Sequence, residues 1–215
     1  MNVIAYSGLL PELDLGDIKI SNIPIDVRNK NDAVKAKILF LTFFQCDGVI
    51  GWDLLHKFDF SIDYKNKLLT LRKPIEKNIE QKNLFWYEVP IIKFYTSNNY
   101  PLLFFFDSGC GLSSLNTKSI SNVLRIDTNN LKKQTKRLHG ANKWIKTKYY
   151  KYPDFQCYTI SNNEMTYLTA NKTLLEDIWC RQLCAINLDG WLGSDWFKDK
   201  TIRVDMKNGV FEITE

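Results

Sequence analysis

Residues Leu102–Asn116 read LLFFFDSGCGLSSLN, in which five apolar residues lead directly into Asp107-Ser108-Gly109. An all-apolar run of this length, ended by glycine turn signals, is typical of a buried β-strand and too short for a helix. A carboxylate at the end of such a strand is held rigidly and partly away from water. The Ser108 hydroxyl can fix the loop, and Gly109 lets the backbone pass close to the carboxylate. Because Asp-Ser-Gly is also ordinary turn chemistry, the rest of the chain decides between a catalytic carboxylate and a simple turn.

The composition indicates a globular chain and disfavours several kinds of site. A hydrophobic share of 45% over 215 residues supplies a core for one or two domains and argues against disorder. Five cysteines without a C-x-x-C pair disfavour a disulfide framework and a zinc site, and two histidines disfavour a His-based metal site or a Ser-His-Asp triad. We therefore expect neither a metal nor another cofactor. No apolar run is long enough for a membrane span, and no signal peptide is recognisable, so the compartment stays open.

The chain contains an internal repeat. Asp47–Leu71 reads DGVIGWDLLHKFDFSIDYKNKLLTL, and Asp189–Ile213 reads DGWLGSDWFKDKTIRVDMKNGVFEI, an ungapped match at an offset of 142 residues (189 minus 47). Self-similarity over this distance indicates one supersecondary unit used twice, and hence two similar lobes. Each copy predicts an apolar-apolar-Gly segment, a short helical turn, an alternating strand, an Asn turn and a second strand. Seven positions are identical: Asp47/Asp189, Gly48/Gly190, Gly51/Gly193, Asp53/Asp195, Asp63/Asp205, Lys65/Lys207 and Asn66/Asn208.

These motifs together resemble the aspartic peptidases, pepsin-like or retropepsin-like, of the bacterial two-lobed type. The matching parts are the strand and D-S-G loop at Asp107 and the two D-G-h-h-G-x-D-h-h units, in which h is an apolar residue. The resemblance implies an all-β fold of retropepsin-like lobes, with short helices after the D-S-G and G-x-D motifs. It also implies that Asp107 is catalytic, that Ser108 and Gly109 support its loop, and that the h-h-G segment threads beside that loop.

The repeat and the resemblance together predict the domain organisation. Residues 1–73 form a partial N-terminal lobe, the polar residues 74–82 form a linker, and residues 83–215 form a complete C-terminal lobe. In the first lobe, Leu13–Val27 predicts strands around a Ser21-Asn22 turn. In the second lobe, Leu112–Leu124 predicts a short helix after the D-S-G loop.

A basic hairpin is predicted between the D-S-G loop and the second copy of the repeat. Lys132–Lys151 carries eight Lys and Arg residues and no acidic residue, with a turn near its middle. The simplest interpretation is a solvated hairpin, and a second is nucleic-acid binding through its basic and aromatic side chains, which we do not expect. In the resembling family this position is the flap, a hairpin that closes over the substrate. The flap candidates are His139, Gly140, Ala141, Asn142 and Trp144.

The first lobe lacks the strand and D-[ST]-G loop that the second lobe has. The loop at Asp107 precedes Asp189 by 82 residues (189 minus 107), whereas only 46 residues precede Asp47, and no second D-[ST]-G occurs in the sequence. Because Asp47 and Asp189 occupy equivalent places in the two copies, we interpret them as structural residues that brace the Gly turns. The unpaired Val49-Ile50-Gly51 segment therefore predicts an open edge that recruits another chain.

The missing loop matters because aspartic peptidases activate water between two carboxylates that share one proton. Asp107 supplies half of this dyad. Three explanations for the missing second carboxylate stay open: two chains that pair through their Asp107 loops, a native gene that begins further upstream, or an inactive binding homologue.

The sequence thus favours an aspartic-peptidase-like protein that is weak or inactive without a second Asp. The alternative is a non-catalytic module that binds an extended peptide by strand addition on the same fold. The expected partner is a peptide or protein in an extended conformation, and a homodimer is one route to a complete site.

Overall fold

The computed structural model describes residues 5–28, 35–38, 41–87, 89–125, 127–139, 144–152, 154–170, 173–176, 182–183 and 186–215. These residues are mostly in β-strands, which confirms the expected all-β class. Among them no helix is long and apolar enough to cross a bilayer, in agreement with the predicted absence of a membrane segment.

The first half of the described chain contains ten strands and two short helices. In chain order they are β1 (Ala5–Leu15), β2 (Ile18–Arg28), β3 (Lys35–Ile38), β4 (Leu41–Gln45), α1 (Trp52–Leu55), β5 (Asp59–Asp63), β6 (Leu68–Arg72), β7 (Leu84–Trp86), β8 (Pro90–Thr96), β9 (Pro101–Phe106), β10 (Ser114–Asn116) and α2 (Thr117–Leu124).

The second half of the described chain consists of ten further strands with two short 3-10 turns, Thr128–Asn130 and Ser194–Phe197. The strands are β11 (Lys133–His139), β12 (Trp144–Tyr152), β13 (Phe155–Ser161), β14 (Glu164–Ala170), β15 (Thr173–Glu176), β16 (Gln182–Leu183), β17 (Ile186–Asn187), β18 (Gly190–Leu192), β19 (Thr201–Asp205) and β20 (Val210–Thr214).

The chain divides into two compact units. One consists of Met1–Val49 with Arg137–Ile145, and the other of Ile50–Lys136 with Lys146–Glu215. From Ile50 onward, the first copy of the repeat therefore belongs to the same unit as the Asp107 loop. The two lobes predicted at 1–73 and 83–215 stay a prediction.

The first unit contains the antiparallel pairs β1 with β2 and β3 with β4. The predicted turn at Ser21-Asn22 is wrong, because Ser21 pairs with Glu12 in the middle of the ribbon. The chain turns instead at Gly16, which adopts a positive φ of 62°. Glycine reaches this conformation without a steric penalty, and this explains the position of the turn.

The largest sheet has ten strands in the order β11-β12-β15-β10-β18-β9-β8-β13-β14, with β7 paired to β8, and apart from the segment Arg137–Ile145 these strands belong to the second unit. β18 runs parallel to β9, and β10 runs parallel to β15. The core beneath these strands is rich in aromatic rings that meet edge to face. Its fully buried members include Phe94, Phe104, Phe106, Phe197 and Phe211. Such a core fixes the central strand β9, which leads into Asp107.

The two copies of the repeat meet in a four-stranded sheet, β20-β19-β5-β6. β5 and β19 pair antiparallel with Ser61 opposite Arg203, and these two residues are equivalent in the repeat (203 minus 61 is 142). A local two-fold axis therefore passes between them and relates the two hairpins. Arg203 donates to Asp59 through Nε at 2.8 Å and through a second nitrogen at 3.0 Å, and it also contacts Asp205 and Glu212.

Short helices follow the motifs as predicted, with one change of boundary. α1 begins directly after Gly51, and the 3-10 turn begins directly after Gly193. The helix expected over Leu112–Leu124 begins only at Thr117, because residues 114–116 form the buried strand β10. Asn116 then caps the helix by accepting a hydrogen bond from the Lys118 backbone N–H at 3.1 Å.

Candidate functional site

Asp107 lies at the carboxyl end of β9, a central strand of the large sheet. β9 is hydrogen-bonded to β18 on one side and to β8 on the other. Its side chains at Leu102, Phe104 and Phe106 are completely buried. The strand is thus held on both edges and on one face, and Asp107, which is half-buried, emerges from it in a defined place.

The Asp107 loop is closed by three hydrogen bonds. The Asp107 backbone N–H donates to the Leu192 carbonyl at 3.0 Å, and the Cys110 N–H donates to the Asp107 carbonyl at 3.0 Å. The Gly109 N–H donates to the Asp107 carboxylate at 3.0 Å. A side chain at position 109 would begin only 3.3 Å from that carboxylate, so glycine allows the close turn. Ser108 and Gly109 are exposed, and the predicted role of Ser108 in supporting the loop stays a prediction.

The Gly193 turn packs directly against this loop. The Ser194 N–H donates to the Cys110 carbonyl at 2.8 Å, and the Gly193 N–H donates to the Ser113 hydroxyl at 2.9 Å. A Cβ atom at Gly193 would lie 2.7 Å from the Cys110 carbonyl oxygen. The first glycine of this repeat copy is equally confined, since a Cβ at Gly190 would collide with the Ser114 carbonyl oxygen and the Phe104 ring.

Two carboxylates of the second repeat copy hold the segment that contains Asp107. Asp195 Oδ1 accepts hydrogen bonds from the Ser113 N–H at 2.7 Å and from the Ser113 hydroxyl at 2.6 Å. Asp189 Oδ2 accepts from the Leu103 N–H at 2.9 Å. The expectation that Asp189 braces a Gly turn stays a prediction. Its carboxylate fixes the strand β9, because the Leu103 N–H faces it across the sheet.

Tyr64 is a residue of the site that the sequence reasoning missed. Its ring stacks on Phe197 with 6.2 Å between the ring centres, and its hydroxyl is buried without a hydrogen-bond partner among the described residues. Burial raises the pKa of this phenol to about 12, and the negative charge of Asp107 adds to the shift. Tyr64 is thus a neutral hydrogen-bond donor within electrostatic reach of Asp107. The repeat gives no sign of it, because its counterpart is Met206.

The flap candidates fall partly outside the described residues. His139 ends β11 and Trp144 begins β12, and these strands are neighbours in the large sheet. Gly140, Ala141 and Asn142 lie outside the described residues. The cleft predicted between this hairpin and Asp107 stays a prediction.

One basic side chain and one tyrosine at the base of the same hairpin make local contacts. Lys133 Nζ lies 5.7 Å from the centre of the Tyr150 ring, and the Tyr149 hydroxyl donates to Gln134 at 2.9 Å. The interpretation of this segment as a solvated hairpin stays a prediction.

In the part of the chain that the structure describes, no group of three or more His, Cys, Asp or Glu side chains could hold a metal ion. No protein-family model matches this chain, and the search of curated proteins finds no match either.

Proposed function

We propose that this chain is an aspartic-peptidase-like protein on a retropepsin-like fold and that Asp107 is its catalytic carboxylate. The observation that carries the proposal is the way the Asp107 loop is held. A buried strand ends in Asp-Ser-Gly, and the h-h-G strand of a repeated unit runs parallel to it and hydrogen-bonds the Asp107 N–H. This is the arrangement that the order of motifs predicts for a peptidase lobe.

The local two-fold axis between β5 and β19 also supports the proposal. It relates the two copies of the repeat inside one sheet, as expected for two lobes of common design. In such a design each lobe presents one D-[ST]-G loop, and the two carboxylates face each other across the axis.

In the proposed reaction Asp107 acts as the general base. Its ionised carboxylate removes a proton from a water molecule, which attacks the scissile carbonyl carbon of an extended peptide. The protonated partner carboxylate donates a hydrogen bond to the carbonyl oxygen, and the amide C–N bond breaks as the nitrogen receives a proton. Residues 1–215 contain one D-[ST]-G, so the proposed partner carboxylate lies outside these residues.

A second candidate is a non-catalytic module that binds an extended peptide by strand addition. The presence of a single D-S-G motif favours it, since one carboxylate cannot share a proton with a partner that is absent. Both candidates use the same surface around Asp107 and differ in whether a bound peptide is cleaved.

The test is cleavage of an unstructured peptide library between pH 3 and 7 over a range of chain concentrations. If two copies of this chain pair through their Asp107 loops, the rate per chain rises with concentration, and any cleavage is greatest at acidic pH and is inhibited by pepstatin. Asp107→Asn should abolish cleavage, because the isosteric amide cannot act as a base, while Asp199→Asn, which alters an exposed carboxylate, should not.

The possible results separate the candidates. Asp107-dependent peptide binding without cleavage would favour the non-catalytic module. Cleavage that Asp107→Asn leaves undiminished, or neither cleavage nor binding at any concentration, would show that the proposal is wrong.

A further inference from the structure

We propose that the first copy of the repeat is a docking site for an extended apolar strand and its following polar turn, supplied by another polypeptide. The site is centred on Ile50, Gly51 and Asp53, which are equivalent to Leu192, Gly193 and Asp195 in the second copy. The inference comes from a comparison of the two copies, because the second copy holds such a segment and the first copy does not.

The apolar residue before the glycine differs most between the copies. Leu192 is completely buried in β18, where it pairs with Phe106 of β9. Ile50 is 41% exposed and lies in irregular backbone, and its neighbour Val49 is 77% exposed. The same motif is therefore a central strand in one copy and an uncovered segment in the other.

The glycines show the same difference. A Cβ atom at Gly193 would meet the Cys110 carbonyl and the backbone of Leu112, which belong to the bound segment. A Cβ atom at Gly51 would meet only the carboxylate of Asp53, two residues away. No foreign backbone approaches Gly51 among the described residues, although the glycine that permits such an approach is present.

The acidic residue completes the site. Asp195 accepts two hydrogen bonds from Ser113, a residue of the bound segment. Asp53 is exposed and makes no such contact in the described part of the chain. Its carboxylate can thus accept from a backbone N–H and a hydroxyl of an incoming chain in the way that Asp195 does.

The framework around the open site is folded. α1 follows Gly51, and the Trp52 ring packs 5.8 Å from both the Phe60 and the Phe106 rings. The turn after β5 is also built as in the second copy. Asp63 accepts from the Asn66 N–H and side chain, just as Asp205 accepts from those of Asn208. The uncovered residues thus stand on an ordered support.

The second copy defines what the occupant must carry. Its segment Pro101–Asn116 has alternating buried apolar residues, then Asp-Ser-Gly, then Ser113 six residues after the Asp. A matching segment therefore needs an apolar strand, a polar turn and a Ser or Thr at that spacing.

A second copy of this chain does not fit the role in its folded state. Its own Pro101–Asn116 segment is already held by its own second repeat copy, and Phe104, Phe106 and Leu115 are completely buried there. Releasing the segment would expose all of them. We therefore assign the site to a different polypeptide, whose segment has the same sequence pattern and is unstructured before it binds.

The inference rests on the proposed function in one respect only. If the occupant's turn carries an Asp, that carboxylate would be the partner of Asp107. Docking itself depends on the repeat and not on chemistry at Asp107.

The test uses a fluorescein-labelled synthetic peptide of residues 101–116, with Cys110→Ser and a short lysine tail for solubility, and the full 215-residue chain. Fluorescence anisotropy should show saturable binding that a scrambled peptide lacks. Ile50→Asp and Asp53→Ala should each weaken binding by about tenfold or more, the loss expected for one good apolar contact or one charge-assisted hydrogen bond. Asp199→Ala is the matched control and should bind as the wild type does.

A double-mutant cycle tests the predicted pairing of Asp53 with the peptide serine. A Ser113→Ala peptide should bind the wild-type chain about tenfold more weakly but lose little further affinity for the Asp53→Ala chain. Because Ile50 and Asp53 are exposed, both variants should keep the wild-type unfolding temperature, which calorimetry checks.

Several results would overturn the inference. These are absence of saturable binding, equal binding by the Ile50→Asp chain, or self-association of the wild-type chain that Ile50→Asp abolishes, which would assign the surface to a second copy. Asp107→Asn separates this inference from the proposed function. Peptide binding that survives Asp107→Asn shows that docking does not depend on chemistry at Asp107. If the wild-type chain binds the peptide but cleaves no substrate, docking is supported while the peptidase proposal fails. If the wild-type chain cleaves substrate but does not bind the 101–116 peptide, the peptidase proposal is supported and the docking inference fails.

Discussion

Replacing Asp195 with alanine removes the carboxylate that ties Ser113 to the Gly193 turn. Two charge-assisted hydrogen bonds are lost, from the Ser113 N–H at 2.7 Å and from its hydroxyl at 2.6 Å. The Ser113 hydroxyl can still donate to the Gly193 carbonyl, which lies 3.4 Å away, so its loss is partly compensated. The N–H has no such substitute, and Ser113 is completely buried. A buried donor left without a partner costs about 1–3 kcal/mol, and a bond to a charged group contributes about 1.5–3 kcal/mol.

We therefore expect Asp195→Ala to lower the free energy of unfolding by about 3 kcal/mol. For a chain of this length the melting temperature should fall by about 6–12 °C. Urea unfolding followed by tryptophan fluorescence measures the change, because Trp196 next to the substitution packs on Phe104 and Phe155. The urea dependence of the free energy should stay unchanged if only native contacts are lost.

The repeat supplies the control for this experiment. Asp53→Ala removes the equivalent carboxylate in the first copy, where it is exposed, and should change the free energy of unfolding by no more than about 0.5 kcal/mol. Equal losses for Asp53→Ala and Asp195→Ala, or a loss below about 0.5 kcal/mol for Asp195→Ala, would refute the reasoning that the two copies differ in what they hold.

Three further substitutions test other parts of the structure. Gly190→Ala should cost about 3 kcal/mol of unfolding free energy by overpacking against backbone and ring atoms, whereas Gly48→Ala, at the equivalent open position, should cost less than about 0.5 kcal/mol in the same urea assay. Arg203→Met should lower the free energy of unfolding, measured by chemical denaturation, by about 2–3 kcal/mol, because it leaves the buried Asp59 carboxylate without its cationic partner. An unchanged free energy of unfolding would contradict a stabilising role for this partly exposed ion pair. In the wild type, stability should fall as the pH rises from about 10 towards the raised Tyr64 pKa of about 12, because the unfolded phenol releases its proton first. Tyr64→Phe should lack this fall in alkaline melting experiments and should keep full stability at neutral pH.

The parts of the fold that short-range patterns encode were predictable from the sequence. The apolar run before Asp107 is a central strand, and the two Asp-x-x-Asn turns recur because each Asn binds an Asp three residues earlier. Gly193 predicts that another stretch of backbone passes close to it, but the sequence does not identify that stretch. The position of the Gly193 turn beside the Asp107 loop was implied by the resemblance to the aspartic peptidases and not by local patterning.

The missed features depend on contacts between distant parts of the chain. Residues 114–116 have the composition of a helix start, but they form a strand because β15, which begins at residue 173, offers a parallel partner. The role of Asp189 depends on Leu103, 86 residues away, and the burial of the Tyr64 hydroxyl depends on residues beyond 190. A sequence pattern read over about 10 or 20 neighbouring residues cannot contain both members of any of these pairs. The wrong turn prediction in the ribbon of β1 and β2 has a local cause, because Gly16 adopts the positive φ of the turn more easily than Ser21 or Asn22.

The pairing of β5 with β19 has a consequence for how the chain folds during synthesis. Ser61 and Arg203 are neighbours in the sheet but are made 142 residues apart (203 minus 61), so the hairpin of β5 and β6 emerges from the ribosome long before its partner exists. Until residues 201–214 are complete, one edge of that hairpin is a bare strand open to wrong pairing. A contact of such sequence separation also slows folding, because a long loop must close before the sheet gains stability. The open edge of the first repeat copy is therefore protected from wrong strand pairing only after the second copy has been translated.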